Sequence, residues 1–187
     1  MSNSNSKSFL LTFWYRPAYS MQRLLDARKG HIIALIIAAI LGSTQFGRLR
    51  PEKFEAPLLH LTLCGLCGIV SLFLLGWLVR NFGRWFGAET EPVRVRTALG
   101  FGVLPWTILF AVLSLMLSYG LDPNLIAGEY FPILLGAFIY GFCILLLSLT
   151  VGLRIGIVKT FLCIVVTFLF GLFPLMLLMQ VLVKYLS

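Results

Sequence analysis

Apolar residues dominate this sequence in five long runs, which short polar segments separate. None of the five runs contains Lys, Arg, Asp or Glu. A bilayer core of ~30 Å needs about 20 helical residues, a length that the last four runs reach and the first approaches. The pattern therefore predicts an all-α fold, a polytopic membrane helical bundle with five transmembrane helices. The predicted spans are about 30–46, 58–79, 98–121, 130–153 and 160–183.

The segment before the first run has a different pattern. Residues 1–8 are rich in Ser and Asn and are predicted to be disordered, without a signal peptide. Residues 9–187 are predicted to form a single domain. Pro17 suits the first turn of a helix, and Met21 and Leu25 then fall on one side of it. This spacing predicts an N-terminal amphipathic interfacial helix on the membrane surface.

Composition and charge support a membrane location and give the chain an orientation. Charged residues make up 12% of the sequence, against roughly 25% in soluble domains. The net charge is +8, but the cations lie at span ends, which indicates topology and anionic-lipid contact rather than nucleic acid. With a cytoplasmic N-terminus, eleven of the 15 Lys and Arg residues lie inside and four outside. We therefore expect an N-terminus inside and a C-terminus outside.

The predicted cytoplasmic surface combines arginines with aromatic residues. The segment 80–96 alternates the two residue types in its first half, as is common at the headgroup layer. Such a surface suits anionic lipid headgroups or acidic partner proteins, although positive-inside topology alone explains most of it. The candidate lipid- or partner-binding residues are Arg16, Arg23, Arg28, Arg80, Arg84, Trp85, Arg94 and Arg96.

One group inside the second span has ligand chemistry. His60, Cys64 and Cys67 follow i, i+4, i+7 spacing and share a helix face, and Zn or Cu could use such ligands. The group supplies only three ligands from one helix, and Cys is commonly a buried apolar residue. Packing is therefore the preferred interpretation, and no metal or cofactor is expected.

Other features of the spans concern shape more than chemistry. Pro105 and Pro174 predict helix kinks inside the third and fifth spans. Small residues at Ala34, Ala38 and Gly42 predict close helix packing and would permit a homo-oligomer. The spans hold no carboxylate or Lys/Arg cation for ion coupling, and the chain has no hydrolase, P-loop or metalloprotease motif. We therefore expect no enzymatic activity.

Several segments resemble the Yip1 family of five-span membrane proteins, especially its small bacterial members. WYRPAYSMQRLLDARKGH (14–31) is similar to the family's start, and ILGSTQFG (40–47) to the end of its first span. GWLVRNFGRWFGAETEPVRVRTALGFGVLPW (76–106) resembles it most, and LLLSLTVGLRIGIVKTFLCIVV (145–166) is similar to its last hairpin.

The resemblance implies five helices, a cytosolic N-terminus and a role in membrane organisation. Eukaryotic members act in vesicle traffic and bind Rab-type GTPases in the membranes of the ER and Golgi. Their long hydrophilic N-terminal region has no counterpart here, so the resemblance implies the bacterial inner membrane instead. The leading hypothesis is a non-enzymatic adaptor or accessory factor that binds lipids or partner membrane proteins. The alternative is a small transporter, channel or lipid-translocating protein.

Overall fold

The computed structural model describes residues 16–26, 30–46, 57–120, 122, 128–174, 176–177 and 180. These residues form seven α-helices and one π-helical segment, and no strand occurs among them. The predicted disordered segment 1–8 and Arg28 lie outside the described residues. The helices are α1 (Pro17–Asp26), α2 (His31–Phe46), α3 (Pro57–Trp85), α4 (Pro92–Gly102), α5 (Leu104–Ser118), α6 (Phe131–Leu153) and α7 (Ile157–Val166), and α7 continues as the π-helical segment Thr167–Leu172.

The helix lengths bear on the predicted number of spans. Two helices in the described part of the chain are long and apolar enough to cross a membrane by themselves, α3 and α6. The pair α4 and α5 passes the same test together, which gives up to three. The apolar stretches His31–Gln45 and Ile157–Gly171 are shorter. The apolar helices thus indicate a membrane protein, while five spans stay a prediction.

Small residues bring α2 and α3 into close contact. A methyl group added at Gly42 would lie 2.6 Å from the Cα of Gly68 and 2.5 Å from the carbonyl oxygen of Cys64. A methyl group at Gly68 would overlap the carbonyl oxygen of Ala38. The same face of α2 meets α4, where Ala34 packs on Gly100. The predicted stripe of small residues is therefore the packing face of α2.

The C-terminal end of α3 lies further along the chain than the sequence indicated. Arg80, Arg84 and Trp85 were expected in a polar loop, but all three lie on the helix. The helix continues through Gly83 and ends before Gly87, whose φ of 86° is a left-handed conformation that favours glycine. There the amide of Ala88 donates to the carbonyl oxygen of Gly83, and the amide of Gly87 to that of Arg84. This Schellman motif shortens the loop to residues 86–91.

The predicted third span is bent. Helices α4 and α5 meet at Val103 with an angle of 40°. Pro105 follows the break by two residues, and its ring removes one backbone donor and hinders a continuous helix. Pro174 follows the π-helical segment, which ends at Leu172. Since proline lacks an N–H, a wider helical turn before it is a common adjustment.

Helix α1 packs against protein. Met21 and Leu25 are buried in a cluster with Ala34, Phe101 and Ile144, which belong to α2, α4 and α6. The apolar side that the sequence assigned to a membrane-surface helix is thus covered by the bundle. A second cluster of core residues lies between α2, α3, α4, α6 and α7. Its members are Ala38, Leu72, Val79, Ala88, Val95, Ala98, Leu99, Leu145, Leu149, Leu153 and Cys163.

Candidate anion-binding cavity

A cavity of about 820 Å³ opens where several helix ends meet. We call this end of the bundle the basic end, because Arg80, Arg94 and Arg154 all line the cavity. The arginines come from the end of α3, the first turn of α4 and the turn after α6. The other lining residues are Leu24, Leu25, Gly30, His31, Glu89, Thr90, Glu91, Pro92, Val93 and Thr97.

The loop 86–91 forms one wall of the cavity and is held at both sides. Arg80 donates from Nε to the carbonyl oxygen of Thr90 at 3.3 Å. The hydroxyl of Thr90 donates to the carbonyl oxygen of Gly152 at 2.8 Å. One residue therefore ties α3 to the end of α6, and it orients the Arg80 side chain beside the cavity.

Arg154 reaches the cavity through an uncommon backbone conformation. It ends α6 with φ 57° and ψ 35°, in the left-handed region that usually favours glycine or asparagine. Gly156, two residues later, has φ −65° and begins α7. The left-handed turn lets the chain reverse between α6 and α7 while the exposed Arg154 side chain still lines the cavity.

His31 and Arg96 meet the same aromatic ring. The imidazole of His31 packs edge-on against Phe73, with 6.5 Å between ring centroids. The guanidinium carbon of Arg96 lies 4.3 Å from the centre of the Phe73 ring, a cation–π distance. His31 also lines the cavity, and its buried Nδ1 has no hydrogen-bond partner among the described residues.

The predicted binding residues therefore separate into three groups. Arg80 and Arg94 share the cavity. Arg96 contacts Phe73 and packs beside Gly76, so its side chain joins α3 to α4. The remaining described candidates are exposed and do not line the cavity; they are Arg16, Arg23, Arg84 and Trp85.

Arg154, Thr90 and His31 are among the lining residues that were missed as site candidates in the sequence. Arg154 was counted only as a topology signal, and Thr90 and His31 carried no motif. The position of Arg154 next to a short hairpin turn was the one available signal, because such a turn brings its ends close to neighbouring helices. The contact of Thr90 with Gly152 joins residues far apart in sequence, and no local pattern predicts it.

The possible metal ligands do not assemble. The sulfur of Cys64 lies 3.7 Å from Nε2 of His60, but Cys64 is buried while Cys67 is exposed. No three His, Cys, Asp or Glu side chains in the described ranges are placed to hold a metal ion. His60 and Cys64 therefore make a side-chain contact one turn apart on α3.

The cavity has the chemistry of a binding site for charged groups. Arginine presents several N–H donors in a plane and binds phosphate or carboxylate oxygens in pairs. The volume of the cavity falls within the ~300–1,000 Å³ common for ligand sites. Comparisons with known protein families, with characterised proteins and with experimentally determined structures give no match for this chain.

Proposed function

We propose that this chain is a non-enzymatic, five-span membrane protein of Yip1 type that acts by binding lipids at its basic end. In this proposal the basic end faces the cytoplasm, in the bacterial inner membrane, and the C-terminus lies outside. The adaptor or accessory role follows from lipid binding, through which the protein would organise lipids or partner proteins around it.

The cavity with three arginines is the observation that carries this proposal. Arg80, Arg94 and Arg154 come from three separate parts of the chain and line one space. Exposed cations scattered along loops would be explained by topology alone. Three cations around one cavity give a defined place for an anionic group, and each cation near an anionic lipid contributes roughly 1 kcal/mol.

The place of the cavity favours a lipid over a soluble ligand. Long apolar helices end beside it, because Arg80 lies near the end of α3 and Arg154 directly follows α6. Both helices are long enough to cross a membrane, so their ends lie at headgroup depth if they do. Leu24, Leu25 and Val93 add apolar surface where a lipid's glycerol and first acyl carbons would lie.

The test is lipid retention by purified full-length protein. We expect Arg94→Gln/Arg154→Gln to retain less phospholipid per protein than wild type after detergent extraction and washing. The matched control is Arg16→Gln/Arg23→Gln, which removes the same charge from exposed positions outside the cavity. Equal lipid loss in both variants would show a general charge effect and would refute a defined site.

Transport is a second candidate, which the bend between α4 and α5 favours. An apolar cavity of about 190 Å³ lies beside this bend and is lined by Gln45, Ser71 and Val103, among others. Interrupted helices beside cavities are frequent in transporters. The amide nitrogen of Gln45 has no hydrogen-bond partner among the described residues.

Liposome assays separate the two functions. If the protein transports solutes or moves lipids between leaflets, wild type should give flux above that of empty liposomes, and Gln45→Leu should reduce it. If the wild-type protein gives no flux in liposomes but still retains lipid after purification, this second candidate is excluded.

A further inference from the structure

The cavity at the basic end carries charges of both signs. Besides the three arginines, Glu89 and Glu91 line it, and both residues are exposed. Carboxylates beside the arginines weaken the attraction of the cavity for a purely anionic ligand, because like charges repel each other. The mixture of charges therefore carries information about the ligand.

The anion-binding part of the cavity has two sources of positive potential. Its arginine side chains are one source. The other is the N-terminal ends of α2 and α4, because Gly30 and His31 line the cavity from one helix and Pro92 and Val93 from the other. Helix N-termini carry partial positive charge, which favours phosphate oxygens.

The two carboxylates lie on the loop side of the cavity. Glu89 lies in the loop 86–91, and Glu91 directly precedes α4. The hydrogen bonds of Thr90 to α3 and α6 hold this loop against the bundle. The acidic residues therefore lie at a fixed edge of the cavity.

We infer that the cavity binds the phosphoethanolamine headgroup of a zwitterionic phospholipid. The phosphodiester would lie among Arg80, Arg94 and Arg154, and the ammonium group would donate hydrogen bonds to the carboxylate side formed by Glu89 and Glu91. This inference rests on the proposed lipid-binding function and specifies its ligand. No bond is made or broken, so the protein recognises the lipid and leaves it unchanged.

Lipids whose headgroups differ in charge or in N–H donors test this assignment. The purified full-length protein is mixed with vesicles containing equal amounts of phosphatidylethanolamine, phosphatidylcholine, phosphatidic acid and phosphatidylglycerol, and retained lipids are identified by native mass spectrometry. We expect phosphatidylethanolamine to be enriched over all three. Phosphatidylcholine keeps the charge but has no N–H donor, whereas the other two lipids lack the cation.

The carboxylate variant gives the sharper result. Glu89→Gln should lower the ratio of retained phosphatidylethanolamine to phosphatidic acid by about tenfold, which corresponds to ~1.4 kcal/mol. Glu129→Gln is the matched control, since Glu129 is exposed and does not line the cavity. An unchanged ratio in Glu89→Gln, or a wild-type preference for phosphatidic acid or phosphatidylglycerol, would overturn the inference while leaving lipid binding intact.

One further result distinguishes a lipid headgroup from free phosphoethanolamine, and another tests the lipid-binding function itself. Soluble phosphoethanolamine should compete with the lipid only weakly, because it lacks the apolar part that contacts Leu24 and Val93. Binding of soluble phosphoethanolamine with no lipid retained would refute a lipid ligand. Loss of all lipid selectivity together with insensitivity to Arg94→Gln/Arg154→Gln would instead refute the proposed function itself.

Discussion

Thr90 donates its hydroxyl proton to the carbonyl oxygen of Gly152 across a distance of 2.8 Å. Gly152 lies in the last turn of α6, where backbone carbonyl oxygens have no partner within the helix. The carbonyl oxygen of Thr90 in turn accepts the Nε–H of Arg80. Through these two bonds the loop 86–91 connects the ends of α3 and α6 and forms a wall of the cavity.

Replacing Thr90 by valine removes the hydroxyl and keeps the shape of the side chain. We expect Thr90→Val to lower the free energy of unfolding by about 1 kcal/mol, because the Gly152 carbonyl loses its donor. Titration with SDS, followed by circular dichroism, measures this change. Thr62→Val is the control, since Thr62 is exposed and donates within its own helix to Leu58. Equal destabilisation in both variants would contradict a special role for Thr90.

Arg154 combines a strained backbone with a cavity-lining side chain, so its replacement should have two opposite effects. Because φ is 57°, Arg154→Gly should relieve about 1 kcal/mol of backbone strain in the native state. The same variant should retain less phospholipid, since the guanidinium is lost. Arg154→Ala serves as the control, because it loses the guanidinium and keeps the strain. Lower stability of Arg154→Gly than of Arg154→Ala would contradict this explanation.

The close approach of α2 and α3 makes Gly68 intolerant of larger residues. Any Cβ there would overlap the Ala38 carbonyl oxygen, so Gly68→Ala should destabilise the protein by roughly 1–3 kcal/mol or more, as overpacking does. Gly136→Ala has the opposite expectation. No heavy atom lies within 4 Å of the added methyl group at Gly136, and alanine is the better helix former by up to ~1 kcal/mol. Unfolding titrations that showed the same sign for both variants would contradict the packing described here.

How far the sequence predicts this structure depends on the range of the interactions involved. The apolar runs predict α2, α6 and the start of α3 closely, because hydropathy is a local property. The stripe from Ala34 to Gly42 likewise predicts a packing face, which the contacts with Gly68 and Gly100 show. Which helices meet at that face depends on tertiary packing and could not be predicted from the sequence.

The candidate site was less predictable for the same reason. Charge patterning selected Arg80 and Arg94, which line the cavity, but also Arg84 and Arg96, which do not. Arg96 contacts Phe73 instead. The sequence placed Arg84 in a loop because the apolar run ends at residue 79, whereas the Schellman motif forms at Gly87. A left-handed turn after α6 would be assigned to Gly156 by preference, but the structure has it at Arg154.

Trp106 makes a polar link between α5 and α6. Its indole N–H donates to the carbonyl oxygen of Phe138 at 3.1 Å, and the two rings stack with 5.2 Å between centroids. We expect Trp106→Phe to lose about 1 kcal/mol of stability, because stacking survives and the hydrogen bond does not. Trp77→Phe is the control, since Trp77 is 59% exposed. A thermal denaturation series in one detergent compares the two variants, and equal shifts would contradict the role of the bond.

The bend between α4 and α5 leaves two paths for the chain, and labelling can distinguish them. If the pair crosses the membrane as one kinked span, Glu89 before α4 and Tyr119 after α5 lie on opposite sides. If it turns back as a re-entrant loop, both lie on the same side. Both residues are exposed, so cysteines placed there should react with a membrane-impermeant maleimide.

We expect the kinked span, because α4 and α5 together pass the length and hydropathy test and the positive-inside rule predicts a cytoplasmic side for Arg94 and Arg96. In a background without the four native cysteines, Tyr119→Cys should be labelled in intact cells or spheroplasts, and Glu89→Cys only after the membrane is opened. Glu129→Cys is the control for the outer side. Labelling of both Glu89→Cys and Tyr119→Cys from one side would establish a re-entrant loop, and it would leave an even number of spans among the five predicted.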